Sequence, residues 1–368
     1  MRELTRREVD DILVGAAVLG CGGGGELAEG REELRRVYDA GRAVTIAAPD
    51  ELDDDAVVCT PYGVGGLVAG DWAEYEGLAR TTEHPGALAV RALAEHLGAD
   101  IGALITGELG GTSIADAFVP AALLGLPVVD ADPVGRAVPE LEQSLFFVHG
   151  LPIAPQAVVN EVGDTLVVNR VASDGRAEVL VRALAVASRN LVWVADHALP
   201  WRRMRPAVIS GAIGWAGSVG RALREARAAG ADVPAAVAAA AGGTVLFRGR
   251  VTAAPWEERD GFTWGETELA GEGPDAGSSY RLWFKNENLL AWRDGVPDVT
   301  CPDLLCCLAA GDGEPVTNPR HEPGAAVAVV GVPCAPAWEA ERGLSVLGPR
   351  HFGFDVDRVP LRTRLATA

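Results

Sequence analysis

Apolar and polar residues follow two distinct patterns along the first part of the chain. After a capping box at Thr5–Glu8, apolar residues recur at helical spacing. Further on, short continuous apolar runs such as Ala56–Thr60 and Ile101–Thr106 alternate with helical stretches. Such runs are typical of strands buried in a parallel sheet, and their alternation with helices indicates βαβ units. The pattern predicts a wound α/β domain with a mostly parallel sheet over residues 1–155.

The pattern changes after the proline-rich stretch Leu151–Pro155. Apolar runs such as Thr165–Val171 and Tyr280–Phe284 are separated by Gly and Asp turns, which favours antiparallel strands. A helical segment rich in Ala and Arg, Trp215–Gly230, interrupts them. We therefore predict a second, α+β domain rich in antiparallel strands over residues 156–368.

Length and charge narrow the classes of protein that fit. The chain has 368 residues, more than the roughly 250 that one core usually serves, so two domains are expected. Its net charge of -19 opposes binding to a phosphate backbone. No apolar run approaches the ~20 residues that span a bilayer, and the charged N-terminus is unlike a signal peptide. We predict a cytoplasmic protein that binds a small molecule and neither nucleic acid nor a membrane.

Acidic residues follow two of the predicted strands at their carboxyl ends, where open α/β sheets bind ligands. Glu108 follows the strand that ends at Thr106, and Asp130 and Asp132 follow a later strand. In extended geometry the two aspartates point to one face, and with Glu108 they offer three oxygen ligands to a divalent metal ion. Alternatively, these acids act directly in catalysis, or they cap helices and bind backbone amides.

The glycine-rich run Gly20–Gly25 is a candidate ligand loop. The run formally satisfies the dinucleotide fingerprint, but that fingerprint needs a strand before it, and here a helix precedes it. It is not a P-loop, because no Lys follows the glycines, so no nucleotide cofactor is expected. Backbone amides in such a loop can still bind an anionic group of a substrate. The candidate substrate-binding glycines here and after the Thr106 strand are Gly22, Gly23, Gly24, Gly25, Gly110 and Gly111.

Three further residues beside these loops have two interpretations each. Cys21 is either a nucleophile or metal ligand, activated by free amides and helix dipoles, or a small residue tolerated at a tight turn. Arg136 and Glu140 either orient a substrate carboxylate and each other or form a structural salt bridge.

Histidine is the commonest general base near neutral pH. Four of the six histidines are candidates for that role, namely His149, His197, His321 and His351. The segment Trp283–Asn288 contains a lone lysine, Lys285, and is interpreted as a solvated strand.

Several motifs together resemble one known family. They fall in the family's order and span nearly the whole chain: Leu19–Gly25, Gly107–Gly111, Gly125–Leu141, Asn286–Asn288, Cys301–Leu304 and Gly348–Phe354. The sequence resembles the S-methyl-thiohydantoin-desulfurase-like family, which is associated with hydantoinase and oxoprolinase genes and was long catalogued as a domain of unknown function.

The resemblance implies a hydrolase that acts on a thiohydantoin or hydantoin-type ring. The glycine-loop amides would hold an anionic ring oxygen, and Arg136 would hold a substrate carboxylate. Glu108, Asp130 or Asp132 would position a water that attacks C2, directly or through a divalent metal ion. The family carries Thr more often than Cys at the position of Cys21, so attack by a thiolate cannot be its general mechanism.

A second class of function stays open alongside the enzyme. The chain would then be a non-catalytic subunit or ligand-binding module that assembles with a hydantoinase- or oxoprolinase-type partner. Either a homo-oligomer or such a complex is expected.

Overall fold

The computed structural model describes residues 1–65 and 77–365. The glycine-rich stretch that follows the apolar run Ala56–Thr60 ends at Gly66, which lies outside the described residues. The α-helices are α1 (Arg6–Leu19), α2 (Leu27–Asp39), α3 (Pro85–Leu97), α4 (Ser113–Leu124), α5 (Leu145–Val148), α6 (Asp174–Val186), α7 (Trp201–Met204), α8 (Ala212–Ala229), α9 (Val233–Ala241), α10 (Glu341–Leu347) and α11 (Leu361–Leu365).

The β-strands of the described residues form two large sheets and one short pair. They are β1 (Arg2–Glu3), β2 (Thr45–Ala47), β3 (Val57–Gly65), β4 (Ala103–Leu104), β5 (Pro127–Val129), β6 (Ala131–Asp132), β7 (Gln156–Val159), β8 (Thr165–Val168), β9 (Leu191–Pro200), β10 (Ile209–Ser210), β11 (Thr244–Ala253), β12 (Trp256–Arg259), β13 (Phe262–Gly271), β14 (Ser279–Lys285), β15 (Glu287–Arg293), β16 (Val296–Thr300), β17 (Leu304–Ala309) and β18 (Ala326–Val332).

The first sheet confirms the predicted α/β class. Its strand order is β1-β2-β5-β4-β3-β9-β7-β8, and the central strands β2, β5, β4 and β3 run parallel. The flanking strands pair antiparallel, so the sheet as a whole is mixed. The parallel strands end at one edge, from which the segments after β4 and β5 continue.

Strands β7, β8 and β9 follow the boundary predicted near residue 155, yet they hydrogen-bond into the first sheet. Strand β9 pairs with β3 along most of its length, from Val57 opposite Pro200 to Gly65 opposite Leu191. The first sheet therefore extends to Pro200. Up to Pro200, the antiparallel pattern after Pro155 is thus the antiparallel side of a mixed sheet, and the domain boundary near residue 155 stays a prediction.

The second sheet is antiparallel throughout, with the order β16-β15-β14-β13-β11-β18-β17 and β12 paired with β13. One of its faces packs a separate apolar core around Phe247, Leu282 and Val329. With helices α8 and α9 beside it, this part of the chain has the predicted α+β character. A two-stranded ribbon of β6 and β10 lies outside both large sheets.

The half of the chain that carries the first sheet meets the half that carries the second sheet at helices α1 and α8. These two helices cross so closely that their backbones are in contact. The predicted capping box at the start of α1 is confirmed, because Thr5 and Glu8 bond each other's backbone. A Cβ atom on Gly15 would lie 1.7 Å from the carbonyl oxygen of Ala216, and one on Gly220 would lie 1.8 Å from that of Asp11. The two helices can cross this closely only because neither glycine has a side chain.

Within the described residues, no helix combines the length and the apolar character needed to cross a bilayer. A cytoplasmic location stays a prediction.

We expect Gly220→Ala to lower the free energy of unfolding by about 1–3 kcal/mol, because the new methyl group meets backbone that cannot move aside. The measurement is urea unfolding at equilibrium. Gly217→Ala on the same helix is the matched control: its methyl would lie 3.1 Å from a side-chain carbon of Ile12, which can shift. That variant should stay within about 1 kcal/mol of the parent, since Ala favours the helix. Equal losses in both variants would contradict the close-crossing explanation.

Candidate functional site

A cavity of about 620 Å³ lies between the carboxyl edge of the first sheet and the β14–β15 hairpin of the second. The wall of the cavity includes Gly23, Tyr62, Glu108, Glu140, His197 and Glu287. Both halves of the chain contribute to this wall, so the cavity exists only when they are docked.

The glycine loop forms one side of the cavity and fastens the second half of the chain. The carbonyl of Cys21 accepts from the Asn288 N–H at 2.8 Å, and that of Gly22 accepts from the Asn318 N–H at 2.8 Å. In the part of the chain that the structure describes, the N–H groups of Gly24 and Gly25 donate to no protein acceptor. Both residues line the cavity, so these amides stay available to a ligand.

Cys21 lies beneath this loop rather than in the cavity wall. It is fully buried with a left-handed φ of 54°, and its Sγ lies 3.2 Å from the carbonyl oxygen of Leu19. Burial raises the pKa of its thiol, but a hydrogen bond with Cys306 and the charge of Arg136 outweigh it and lower that pKa to about 7. The thiol can ionise, yet it is not among the residues that line the cavity.

Gly110 and Gly111 support the loop instead of lining the cavity. A Cβ on Gly110 would lie 2.4 Å from the Cα of Gly24, and one on Gly111 would lie 2.8 Å from the backbone nitrogen of Leu27. Their lack of side chains lets the two glycine-rich segments touch.

Glu108 does reach the cavity. Its Oε1 accepts from the Ser113 hydroxyl at 2.8 Å, and its Oε2 accepts from the Val138 N–H at 2.9 Å. Burial raises the pKa of this carboxyl to about 7, although these hydrogen bonds and the charge of Arg136 act in the opposite direction. Glu108 can therefore gain or lose a proton near neutral pH.

Asp130 and Asp132 accept hydrogen bonds from backbone amides. This is one of the alternatives that the sequence left open for these acids. The Oδ1 of Asp130 accepts from the Gly214 N–H at 2.9 Å near the start of α8. The Oδ1 of Asp132 accepts from the N–H groups of Val134, at 2.9 Å, and of Gly135. The two side chains part because the chain leaves the first sheet at Asp130 and pairs with β10 at Asp132.

The three predicted metal ligands, Glu108, Asp130 and Asp132, are therefore not brought together. Within the described residues, one group of three has its ligand atoms within 4.8 Å of one another and could hold a metal ion: Glu140, Glu142 and His351. Glu140 already accepts from His351 Nε2 at 2.7 Å and from Lys285 Nζ. A metal ion at this cluster would compete with these bonds of Glu140.

Arg136 and Glu140 do not pair with each other. The Arg136 guanidinium is buried and donates to the carbonyls of Ala137, Asp303 and Asn288 at 2.8–2.9 Å, so it joins the two halves and is not part of the cavity wall. Glu140 lines the cavity. Although burial raises the pKa of Glu140, its bonds to His351 and Lys285 lower it to about 2.

The prediction that Lys285 lies on a solvated strand is wrong. Its side chain is buried, and its ammonium lies 3.9 Å from the centre of the Phe262 ring beside Glu140. An isolated lysine in a strand suggests solvent, but an aromatic neighbour and a carboxylate partner from distant parts of the chain compensate for its burial.

The cavity also contains a histidine network that the sequence indicated only in part. The Asp196 carboxylate accepts from the Tyr62 hydroxyl at 2.6 Å and from Gln156 Nε2 at 3.1 Å, and its Oδ1 lies 2.7 Å from His197 Nδ1. The other ring nitrogen, Nε2, is buried without a partner among the described residues. His197 belongs to the cavity wall, so the network combines an orienting carboxylate with a histidine nitrogen that has no protein partner among the described residues, two features of a general base.

A β-bulge produces this arrangement. The β3–β9 register advances two residues on β3, from Val58 to Thr60, while it advances three on β9, from Leu199 to Asp196. His197 lies within this step with φ of 45°, which is uncommon for a residue with a side chain. Bulges re-aim side chains beside active sites. Here the bulge is what lets the consecutive residues Asp196 and His197 both take part in one network.

Comparison with known proteins identifies relatives of both halves of the chain. Residues 7–170 match the family model described as S-Me-THD-like, N-terminal domain, and residues 172–361 match that of the S-Me-THD-like, C-terminal domain. Among curated proteins, no sequence matches significantly. A crystal structure of a protein from Chromobacterium violaceum, a structural genomics target, has a TM-score of 0.78 and 22% identity, covering 98% of this chain and 100% of that chain. This likeness shows the fold.

We expect the stability of the protein to fall as pH rises, partly through Asp132. Burial raises the pKa of Asp132 from 3.8 to about 8. The folded state therefore binds this proton more tightly than the unfolded state, and the resulting stability is full below about pH 4 and is lost as pH rises through about 8. Asp132→Asn retains an acceptor oxygen and removes the ionisation, so its free energy of unfolding should depend less on pH. Urea unfolding across this range measures both slopes, and equal slopes would contradict the assignment.

Proposed function

The chain belongs to the S-Me-THD-like family, and from that premise we propose that it is a hydrolase acting at C2 of a thiohydantoin- or hydantoin-type ring. The observation that carries the proposal is the His197 imidazole, which Asp196 orients and whose Nε2 has no partner among the described residues. It lies in the same cavity wall as the free glycine-loop amides.

The cavity suits a small ring of this kind. Its volume of about 620 Å³ falls within the roughly 300–1,000 Å³ of small-molecule sites. Acidic side chains dominate its ionisable wall, and burial raises the pKa of several, including Glu108 and Asp116. Protonated carboxyls donate to a ring carbonyl and ionised ones accept from ring N–H groups, so a neutral cyclic amide or thioamide finds partners for both.

His197 acts as the general base in this proposal. Its Nε2 takes a proton from a water molecule while Asp196 holds the protonated Nδ1 and stabilises the imidazolium that forms. The water oxygen bonds to C2, and the π electrons of the thiocarbonyl move to sulfur. The Gly24 and Gly25 amides are the groups of the cavity that stabilise negative charge as it develops on the ring.

A divalent metal ion would offer a second way to activate the water. Among the described residues Glu140, Glu142 and His351 would hold it, and it would compete with the bonds of Glu140 to His351 and Lys285. Elemental analysis of the purified protein tests this. Stoichiometric metal together with sulfide release that stops on chelation would move water activation away from His197.

We expect His197→Gln to lower kcat for sulfide release from 2-thiohydantoins by about 10²–10⁴, the usual contribution of a general base. The assay measures sulfide and the hydantoin product together. Asp196→Asn should also lower kcat, because the imidazole then loses the carboxylate that orients it.

His149→Gln is the matched control, since His149 is exposed at the end of α5. It should keep full activity. Full activity in His197→Gln would exclude the base assignment. Ring binding without turnover in the unaltered protein would instead favour a ligand-binding module of a hydantoinase-type complex.

A further inference from the structure

Glu287 lies at the tip of the β14–β15 hairpin, where three hydrogen bonds fix the backbone around it. The Asn288 N–H donates to the Cys21 carbonyl of the glycine loop at 2.8 Å. On the other side, the Asn286 N–H donates to the Thr263 carbonyl at 2.7 Å, and Asn318 Nδ2 donates to the Asn286 carbonyl at 2.7 Å. The side chain between these anchors has little freedom to move away from the cavity.

The Glu287 carboxyl lies directly against the glycine loop. A Cβ atom on Gly23 would lie 1.8 Å from Glu287 Oε1 and 2.5 Å from its carboxyl carbon. The residue Glu287 is 3% exposed, and both Glu287 and Gly23 belong to the cavity wall. The absence of a side chain at Gly23 is what makes room for this carboxyl.

No cation neutralises Glu287 within the described residues, and its Oε2 is buried without a hydrogen-bond partner. The charged and titratable groups that act on it are Glu108, Arg136 and Cys21. Arg136 directs its guanidinium to three carbonyls of the backbone rather than to Glu287. Burial, followed by the charge of Glu108, raises the pKa of Glu287 well above its ordinary value.

Two residues of the cavity wall therefore have a buried polar atom without a hydrogen-bond partner among the described residues, namely His197 Nε2 and Glu287 Oε2. Resting on the function proposed above, we infer that Glu287 is the general acid of the reaction, which protonates the atom that leaves C2. It would do so from the glycine-loop side of the cavity.

The proton balance closes on these two residues. Water adds to C2 and gives one proton to His197, which leaves a hydroxyl and a thiolate on C2. Glu287 gives its proton to that sulfur. The C–S bond then breaks with its electron pair on sulfur, while the hydroxyl proton passes to the Glu287 carboxylate and C=O forms. The imidazolium returns its proton to the departing HS⁻. The sum is C=S + H₂O → C=O + H₂S.

Glu287→Gln tests this role, because it preserves the shape of the side chain and removes the transferable proton. We expect kcat for sulfide release to fall by about 10²–10⁴, with the Kd for the product analogue hydantoin changed by less than about threefold. In the unaltered protein kcat should fall at high pH as Glu287 ionises, and the variant's residual activity should lack that limb. Glu322→Gln, at an exposed glutamate of the same half, is the matched control and should behave like the unaltered protein.

An infrared measurement tests the same inference without turnover. The unaltered protein at pH 7 should show a protonated-carboxyl band that shifts when hydantoin binds and that Glu287→Gln lacks, whereas Glu322→Gln should retain it. Loss of activity in His197→Gln with full activity in Glu287→Gln would overturn the role of Glu287 alone. Absence of sulfide release from the unaltered protein would overturn the proposed reaction. Absence of the band, whatever the activity, would overturn the protonated state on which the inference stands.

Discussion

The docking of the second half of the chain onto the glycine loop is the constraint on which the rest of the structure depends. Two loop carbonyls accept from backbone N–H groups of residues 288 and 318, and the buried Arg136 donates to carbonyls of both halves. The docked half also comes so close that a Cβ atom on Gly22 or Gly23 would meet Asn318 or Glu287. Gly24 and Gly25 line the cavity, and their amides donate to no acceptor among the described residues.

Burial without compensating cations gives the cavity its chemistry. The negative charge of Glu108 acts on Glu287 and raises its pKa. The Arg136 guanidinium, which acts on both carboxyls, donates its hydrogen bonds to backbone carbonyls. Each carboxyl therefore holds its proton at a pH where an exposed one would have lost it. The Asp196 carboxylate has hydrogen-bond partners of its own: a hydroxyl, an amide and an imidazole contact its oxygens. One cavity can thus contain proton donors beside a proton acceptor.

Several elements followed from local patterns, since their causes are local. The capping box at Thr5, the glycine-rich turn after α1 and the helices before Gly98 and Gly125 all depend on residues within a few positions of one another. The position of Glu108 in the candidate site could be predicted because the carboxyl ends of parallel strands share one edge of the sheet. The bulge at His197 has no such local pattern in the sequence. Glu140, whose carboxylate pairs with the buried Lys285, lies 145 residues away along the chain.

The sequence by itself determined the family, the α/β and α+β classes of the two halves, and the positions of the glycine loop and Glu108. These depend on spacing and on residue type, which a single chain displays. Only the tertiary structure decided that Asp130 and Asp132 bind amides, that Cys21 and Arg136 lie behind the cavity, and that Asp196, His197 and Glu287 contribute to its wall. The reason is physical: the direction of a side chain is set by register shifts and by packing between residues far apart in sequence, and no local pattern encodes either.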